Sequence, residues 1–347
     1  DSAFESYVSS VSLREKVCQL FIENIEGDTV FVPVEKDFVP GGYLFFGYNL
    51  ADSPAGIIKF TDSIKKYCAE KGVIPPFLAV DQEGGLVNRL KVVNGPLPSA
   101  ERVSSRLDVP SAYELYSSQA VQMKMLGFDM NIAPVVEVRT SGNERFLDGR
   151  SFGGLRKVRE FGTACINAFE NNGVGTVIKH FPGNTNTDPH SGLPEILLSG
   201  AELKESLRPF FDLNVCAPSG ALMSHARVKS VDGKNPACFS RRWVSEILRG
   251  EIGFEGIVFS EEDWSAYGED SYEEDDDGYF GGSATIGGDS SYQSSVLEDN
   301  SLKGTVISQE NGQMQISRRS RDEEIPMGDG DWTIFVYLCG SDLESDG

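Results

Sequence analysis

The sequence predicts a parallel α/β fold of the (β/α)8 barrel type over residues 1–260, with the repeat stopping after its seventh strand. Three observations predict it. Short apolar runs alternate with amphipathic helical segments between residues 12 and 260, the order that successive βαβ units require. Charged and polar residues gather just past the ends of those runs: Asp81 and Glu83, Glu137 and Arg139, Lys179 and His180, His225 and Arg227, Glu261 and Glu262. In such a barrel these strand ends converge on one mouth, where an active site is built. Several helical segments also close on glycine, as left-handed C-terminal caps do.

The strand candidates are VCQLFI at 17–22, GGYLFFG at 41–47, PFLAVDQ at 76–82, DMNIAPVVEV at 129–138, GTVIKHF at 175–181, GALMSHARV at 220–228 and GIVFSE at 256–261. Each is short, apolar and bounded by turn residues, as strands buried on both faces are. Between them lie helical stretches at 53–72, 111–127, 155–173, 200–214 and 240–253. Ser12, Ser53, Ser111 and Ser240 stand where N-caps belong.

Composition narrows the class of protein. No run of eighteen apolar residues occurs, so a membrane span is not expected. The formal charge of −22 is concentrated late: 22 acidic and 4 basic residues lie from Glu261 onward, against 31 and 27 before it. The nearly balanced residues 1–260 suit an enzyme of neutral small molecules, and the acidity argues against nucleic acid as a partner. Six cysteines are scattered, form no CxxC, and sit mostly in apolar stretches. They read as buried free thiols, and neither a metal nor a cofactor is expected. The first residues carry no basic-then-apolar leader pattern, but the chain starts at Asp1, so bacterial cytoplasm and, after removal of a leader, periplasm or cell envelope both stay open. Oligomeric state is equally open.

Three segments follow from these patterns: a barrel domain at 1–260, an acidic low-complexity linker at 261–331, and a strand-like fragment at 332–347. The linker, rich in Asp, Glu, Gly and Ser, is expected to lack regular structure. The fragment contains TIFVYLC at 333–339, which offers the eighth strand as an alternative to a barrel left open.

The stretch KHFPGNTNTDPHSGLP at 179–194 holds two of the chain's three histidines. Together with VDQEGGLVNRL at 80–90, LGFDMNIAPVVEV at 126–138, GRSFGG at 149–154, ALMSHARV at 221–228 and NPACFSRRWVSEILRGEIGFEGIVFS at 235–260, it resembles glycoside hydrolase family 3. Within that family the resemblance is to the bacterial beta-N-acetylglucosaminidases, and it runs collinearly over about residues 10–260. It implies a TIM-type barrel and a retaining, two-step hydrolysis of terminal beta-linked N-acetylglucosamine, in cell-wall fragments or chito-oligosaccharides. An N-acetylglucosamine-containing oligosaccharide is then the partner. Such chemistry needs an acid for the leaving oxygen and a carboxylate on the opposite face of the sugar.

The resemblance assigns roles residue by residue. His190 matches the acid/base, whose unperturbed pKa of about 6.5 lets it give and take a proton near neutrality. Asp188 would hold the other ring nitrogen and stabilise the protonated form. Lys179 and His180 match positions that donate hydrogen bonds to sugar hydroxyls. Asp81 and Arg89 match a hydroxyl-accepting carboxylate and its brace, and Arg150 a further substrate contact. For His225 a core or rim position and a ligand contact remain alternatives, with a supporting place behind the site as the expectation.

Three positions depart from the family pattern. The nucleophile is usually an Asp directly after the seventh strand, and here Glu261 stands there, followed by Glu262 and Asp263; the three remain alternatives. A Glu moves its oxygens by more than about 1 Å, a misplacement that costs roughly a hundredfold in rate. Only four residues separate Gly183 from Asp188, with Asn184 and Thr185 replacing a usual His-Gly, and Leu86 replaces an arginine. A non-catalytic sugar-binding barrel, or an inactive truncated fusion, is therefore the competing reading. DWTIFVYLCGSDLES at 331–345 separately resembles the opening strand of clostripain-like cysteine peptidases, whose catalytic pair would lie beyond Gly347.

Overall fold

The computed structural model describes residues 6, 8–25, 27–31, 33, 39–187 and 193–261, and the strand backbones at 305–310, 313–318 and 335–339. Its core is a parallel barrel of β1 (Phe21–Asn24), β2 (Gly42–Phe45), β3 (Phe77–Val80), β4 (Met130–Asn131), β5 (Gly175–Phe181), β6 (Gly220–Met223), β7 (Ile257–Glu261) and β8 (Phe335–Cys339). Strands β1 to β7 neighbour one another in sequence order, in registers such as Gly42 with Phe77 and Ile257 with Gly220. Seven strands follow one another as the sequence predicts, the seventh ending at Glu261. The eighth place is not left open, however. β8 pairs parallel with β7 through Val258 and Phe335 and with β1 through Phe21 and Tyr337. TIFVYLC has the unbroken β-branched and aromatic composition of a strand between two neighbours, and closing the ring removes two edges that would otherwise template association.

Strand alternation divides the core into two layers. Ile22, Leu44, Ala79, Met130, Val177, Leu222 and Phe259, one from each of β1 to β7, form a buried cluster in the lumen. The alternate residues Tyr43, Phe45, Leu78, Val80, Ile178, Ala221, Met223 and Val258 belong to a larger cluster shared with the helices. Gly220 is required by the lumen packing: a Cβ there would sit 2.4 Å from the Phe259 ring.

The helices dock where their apolar spacing predicts. α1 (Leu13–Cys18) has Ser12 in a full capping box with Glu15. α2 (Pro54–Lys71) starts at N-cap Ser53 with Pro54 in its first turn, stops at left-handed Gly72, and buries Ile57, Phe60, Thr61, Ile64 and Cys68. The Phe45 ring meets Phe60 edge-on at 5.7 Å. α3 (Val109–Met125), α4 (Leu155–Asn171) and α5 (Gly200–Leu213) follow the order expected. The last segment, Arg242–Glu251, is a π-helix that buries Trp243, Val244, Ile247 and Leu248. Trp243 lies edge-on to Phe181 at 5.6 Å, and Phe181 to Phe210 at 5.0 Å.

Several local expectations are corrected. Residues 13–18 are helical, so the first strand begins at Phe21 rather than at Val17; the Ser12 cap outweighs the apolar run. The segment 129–138 pairs regularly only at Met130–Asn131, with one bridge from Val135 to Lys179, because Pro134 cannot donate to a ladder. Asp108, not Ser111, caps α3 and accepts from the Ser111 N–H. The Ser240 hydroxyl donates to Asp232 instead of capping a helix. Cys18, Cys68, Cys165, Cys216 and Cys238 are thiols rather than disulfides, as predicted, and burial pushes the Cys165 thiol far up.

The chain forms two compact units, Asp1–Gly268 with Thr333–Gly347, and Glu269–Trp332. Regular structure was not expected in the second, yet it contains an antiparallel hairpin, Thr305–Glu310 with Gln313–Arg318. The two intervening residues are Asn311 and Gly312, the strongest short-range hairpin signal, which the acidic composition obscured. No helix among the described residues is long and apolar enough to cross a membrane.

Trp243 is fully buried, whereas Val215 is 86% exposed. Trp243→Ala is expected to cost about 3–5 kcal/mol in urea unfolding. Val215→Ser should stay within about 0.5 kcal/mol.

Candidate functional site

Inward alternation carries the functional residues to the barrel mouth. Asp81 is two positions beyond lumen residue Ala79, and Lys179 two beyond Val177, so the same parity that fills the lumen turns polar at its upper rim. Glu83 sits in a short antiparallel ribbon, Gln82–Gly84 with Val87–Asn88. Gly84, at φ +88°, closes that turn where a Cβ would lie 2.3 Å from the Pro98 carbonyl oxygen, so no other residue fits. Arg150 follows the helical turn Glu144–Leu147.

Lys179 Nζ lies 2.7 Å from Asp81 Oδ1 and 2.6 Å from Glu83 Oε1. Arg150 clamps the same Glu83 with both prongs, Nε to Oε2 at 2.9 Å and Nη2 to Oε1 at 3.0 Å. All four residues are buried. Two cations and two carboxylates thus balance one another away from water, which is what makes such burial tolerable.

A second cluster centres on Glu137. His180 Nδ1 is 2.7 Å from Glu137 Oε1, and the His180 backbone N–H donates to the same oxygen at 3.3 Å. Asn184 donates its backbone N–H to Oε2 at 2.7 Å and its side-chain amide to Oε1 at 3.2 Å. Ser224, after β6, donates to Asn184 Oδ1 at 2.8 Å. The Phe146 ring meets His180 edge-on at 5.8 Å, and the Arg150 guanidinium lies over Phe146 at 5.5 Å, so the two clusters adjoin.

The structure therefore brings together Asp81, Arg150, Lys179 and His180, all expected at the site. It adds Glu83, Glu137, Asn184 and Ser224. Arg89 lies 5.9 Å above the Phe46 ring, and Lys179 donates to Asp81. His225 is buried just beyond β6, and Leu86 is exposed on the turn after Gly85. Arg139 and Arg227 turn away to Glu101 and Glu195. Asp188 and His190 lie outside the described residues, as do Glu262, Asp263 and the Glu261 side chain; the Glu261 backbone ends β7 opposite Leu338. Among the described residues, no group of three or more His, Cys, Asp or Glu could hold a metal ion.

The electrostatics favour the ionised network. Burial opposes the Glu83 charge, but Arg150 and Lys179 overcome it and hold the carboxyl at about 2. Burial likewise opposes the Lys179 charge, and Asp81 and Glu83 overcome it, raising its pKa. A depressed carboxyl contributes stability above its unfolded value of 4.5 and loses it as pH falls toward 2; a raised lysine contributes below 10.5 and loses it above. The network should be intact across the neutral range. Glu83→Gln is expected to destabilise the fold by about 3–5 kcal/mol near neutrality, since it strands buried cations. Urea titrations at about pH 7 and about pH 3 should show that gap narrowing in acid.

Glycosyl hydrolase family 3 N terminal domain is the description matched by residues 12–275. The beta-hexosaminidase of Pseudomonas aeruginosa is 34% identical over 233 residues, covering 64% of this chain and 66% of that protein. Beta-hexosaminidase LpqI of Mycobacterium tuberculosis is 29% identical over 261 residues, covering 73% and 66%. A glycoside hydrolase family 3 beta-N-acetylglucosaminidase from a Paenibacillus species superposes with a TM-score of 0.66 at 29% identity, over 72% of this chain and 49% of that one. The chain spans between 40% and 66% of the length of the curated relatives it matches first. On a match that runs through every strand from β1 to β7, this chain belongs to glycosyl hydrolase family 3.

Proposed function

We propose that this chain carries the catalytic barrel of a retaining beta-N-acetylhexosaminidase acting on terminal beta-linked N-acetylglucosamine. The observation that supports this reading most is the buried group of Asp81, Glu83, Arg150 and Lys179 beside His180 at the mouth. A fixed array of donors and acceptors suits a molecule dense in hydroxyls, and its charges are already compensated before a neutral sugar arrives. The related proteins that match this chain over 261 and 233 residues are beta-hexosaminidases.

In this reading Asp81 accepts hydroxyl protons, Lys179 donates to a hydroxyl oxygen, His180 hydrogen-bonds a hydroxyl through its free ring nitrogen, Arg89 completes the grip, and Arg150 acts by holding Glu83. The chemistry follows in two steps. A carboxylate after β7, Glu261 in first place, attacks the anomeric carbon while His190 gives its proton to the departing glycosidic oxygen. Water then attacks the same carbon as His190 takes a proton from that water, releasing the sugar and the carboxylate. Asp188 holds the imidazole and stabilises its protonated form.

Hydrolysis of a nitrophenyl beta-N-acetylglucosaminide tests the proposal. His190→Ala should lower kcat by about a hundredfold or more, the usual contribution of a positioned acid/base, with KM little changed. Asp188→Ala should fall in the same direction. An inert wild type whose folded variants are equally inert would overturn the catalytic reading.

Glu261 favours a second reading, a barrel that binds the sugar without cleaving it. Calorimetry with N-acetylglucosamine would then report binding without turnover, and Glu261→Asp would gain activity by about a hundredfold, the cost of a misplacement of about 1 Å. Under the first reading Glu261→Asp leaves an already active enzyme within a few-fold of its starting rate.

A further inference from the structure

We propose that Glu137 is a positioning residue that fixes the tautomer of His180 and, through the same carboxylate, holds the start of the loop leading to Asp188 and His190. The sugar-facing role of His180 rests on the function proposed above. The tautomer and the anchoring of Asn184 rest on geometry alone.

Glu137 is almost fully buried and stands seven residues beyond the start of β4. Its two oxygens receive four contacts. At Oε1 these are the His180 backbone N–H, the His180 ring Nδ1 and the Asn184 side-chain amide; at Oε2 it is the Asn184 backbone N–H. Three of the four partners can only donate, so both oxygens act as acceptors, and the fourth contact is satisfied only if Nδ1 also carries a hydrogen. The proton of a neutral His180 is thereby placed on Nδ1. Nε2 becomes the nitrogen presented as an acceptor, or as a second donor when the ring is protonated.

The carboxylate is also held from behind. Ser151 donates its hydroxyl to the Glu137 backbone carbonyl at 2.6 Å, which fixes the main chain that carries it. On the far side, Ser224 donates to Asn184, so the residue that opens the histidine loop is gripped from β4 and β6 together. Phe146 limits rotation of the His180 ring from its edge. One buried group therefore ties the end of β5 to the first loop residue after Gly183.

An amide cannot replace this group. In Glu137→Gln one oxygen becomes an NH2, which meets a donor whichever way it is turned. Facing Asn184, it repels the backbone N–H that anchors the loop. Facing His180, it requires the ring proton to move to Nε2. Glu137→Asp keeps two acceptors and the charge, and loses only reach.

Long-range nitrogen–proton NMR of the histidine rings, of which the chain has three, reads the tautomer directly in the unliganded full chain. Wild-type His180 is expected in the Nδ1–H form, Glu137→Asp should retain it, and Glu137→Gln should shift to Nε2–H or to a mixture. In parallel, calorimetry with N-acetylglucosamine should show Glu137→Gln weakened by about tenfold, the worth of one charge-assisted hydrogen bond, with Glu137→Asp recovering part of the loss. A wild-type His180 in the Nε2–H form overturns the proposal even if no variant folds. So does a folded Glu137→Gln that keeps the Nδ1–H form and binds within twofold of wild type. If wild type shows the Nδ1–H form but binds no sugar, the proposed function fails while the role of Glu137 in the tautomer stands.

Discussion

The site depends on the balance of charge between Lys179 and its two carboxylates. A lysine ammonium brought to the end of a closed barrel strand loses its water, and only the oxygens of Asp81 and Glu83, at 2.7 and 2.6 Å, repay that loss. Two carboxylates around one ammonium would leave a surplus negative charge. Arg150 removes it by taking both oxygens of Glu83. The four residues come from β3, the ribbon that follows it, β5 and the turn before α4, so the neutrality of the mouth requires that all these segments be in register.

The barrel supplies that register through its lumen. Val177, Ala79 and Phe259 share one buried cluster below the mouth, and Gly220 makes room for the Phe259 ring. Because side chains repeat every second residue, a slip of one position in any strand would turn its polar tip toward the helices and its apolar residues into the mouth. The outer layer opposes such a slip as well. Phe181 follows His180 directly and is wedged between Phe210 and Trp243, so the strand end that carries both sugar-facing candidates is locked from the opposite side.

Much of this was legible in the sequence, and the parts that were not share a cause. Strand ends carrying Asp81, Lys179 and His180 announced the mouth because each follows an apolar run in fixed alternation. Glu83 and Glu137 were visible among those strand-end charges, but nothing local tells which of them turns inward. Arg139 and Arg227 sit in equivalent sequence settings and pair outward with Glu101 and Glu195. Asn184 and Ser224 become meaningful only through Glu137, which lies 47 residues from one of them in the chain. β8 is the extreme case. Its place beside β1 is a contact between the two ends of the chain, and no window of sequence contains it. Asn311-Gly312 differs, since that hairpin signal was local and complete, and the composition of its surroundings outweighed it.

The same parity argument bears on Glu261. It stands two residues beyond Phe259, the position at which β3 and β5 present Asp81 and Lys179 after their own lumen residues. The exchange of Asp for Glu therefore changes the length of a side chain and not the face of the strand from which it starts. A wrong face would empty the site of its carboxylate altogether, since no rotamer crosses the sheet. Under the proposed function, a wrong length would differ from the family's pattern only in reach, by one methylene. In that reading, the distinction between cleaving and merely holding a sugar would then rest on a displacement of about one carbon–carbon bond, the scale on which catalytic geometry is decided.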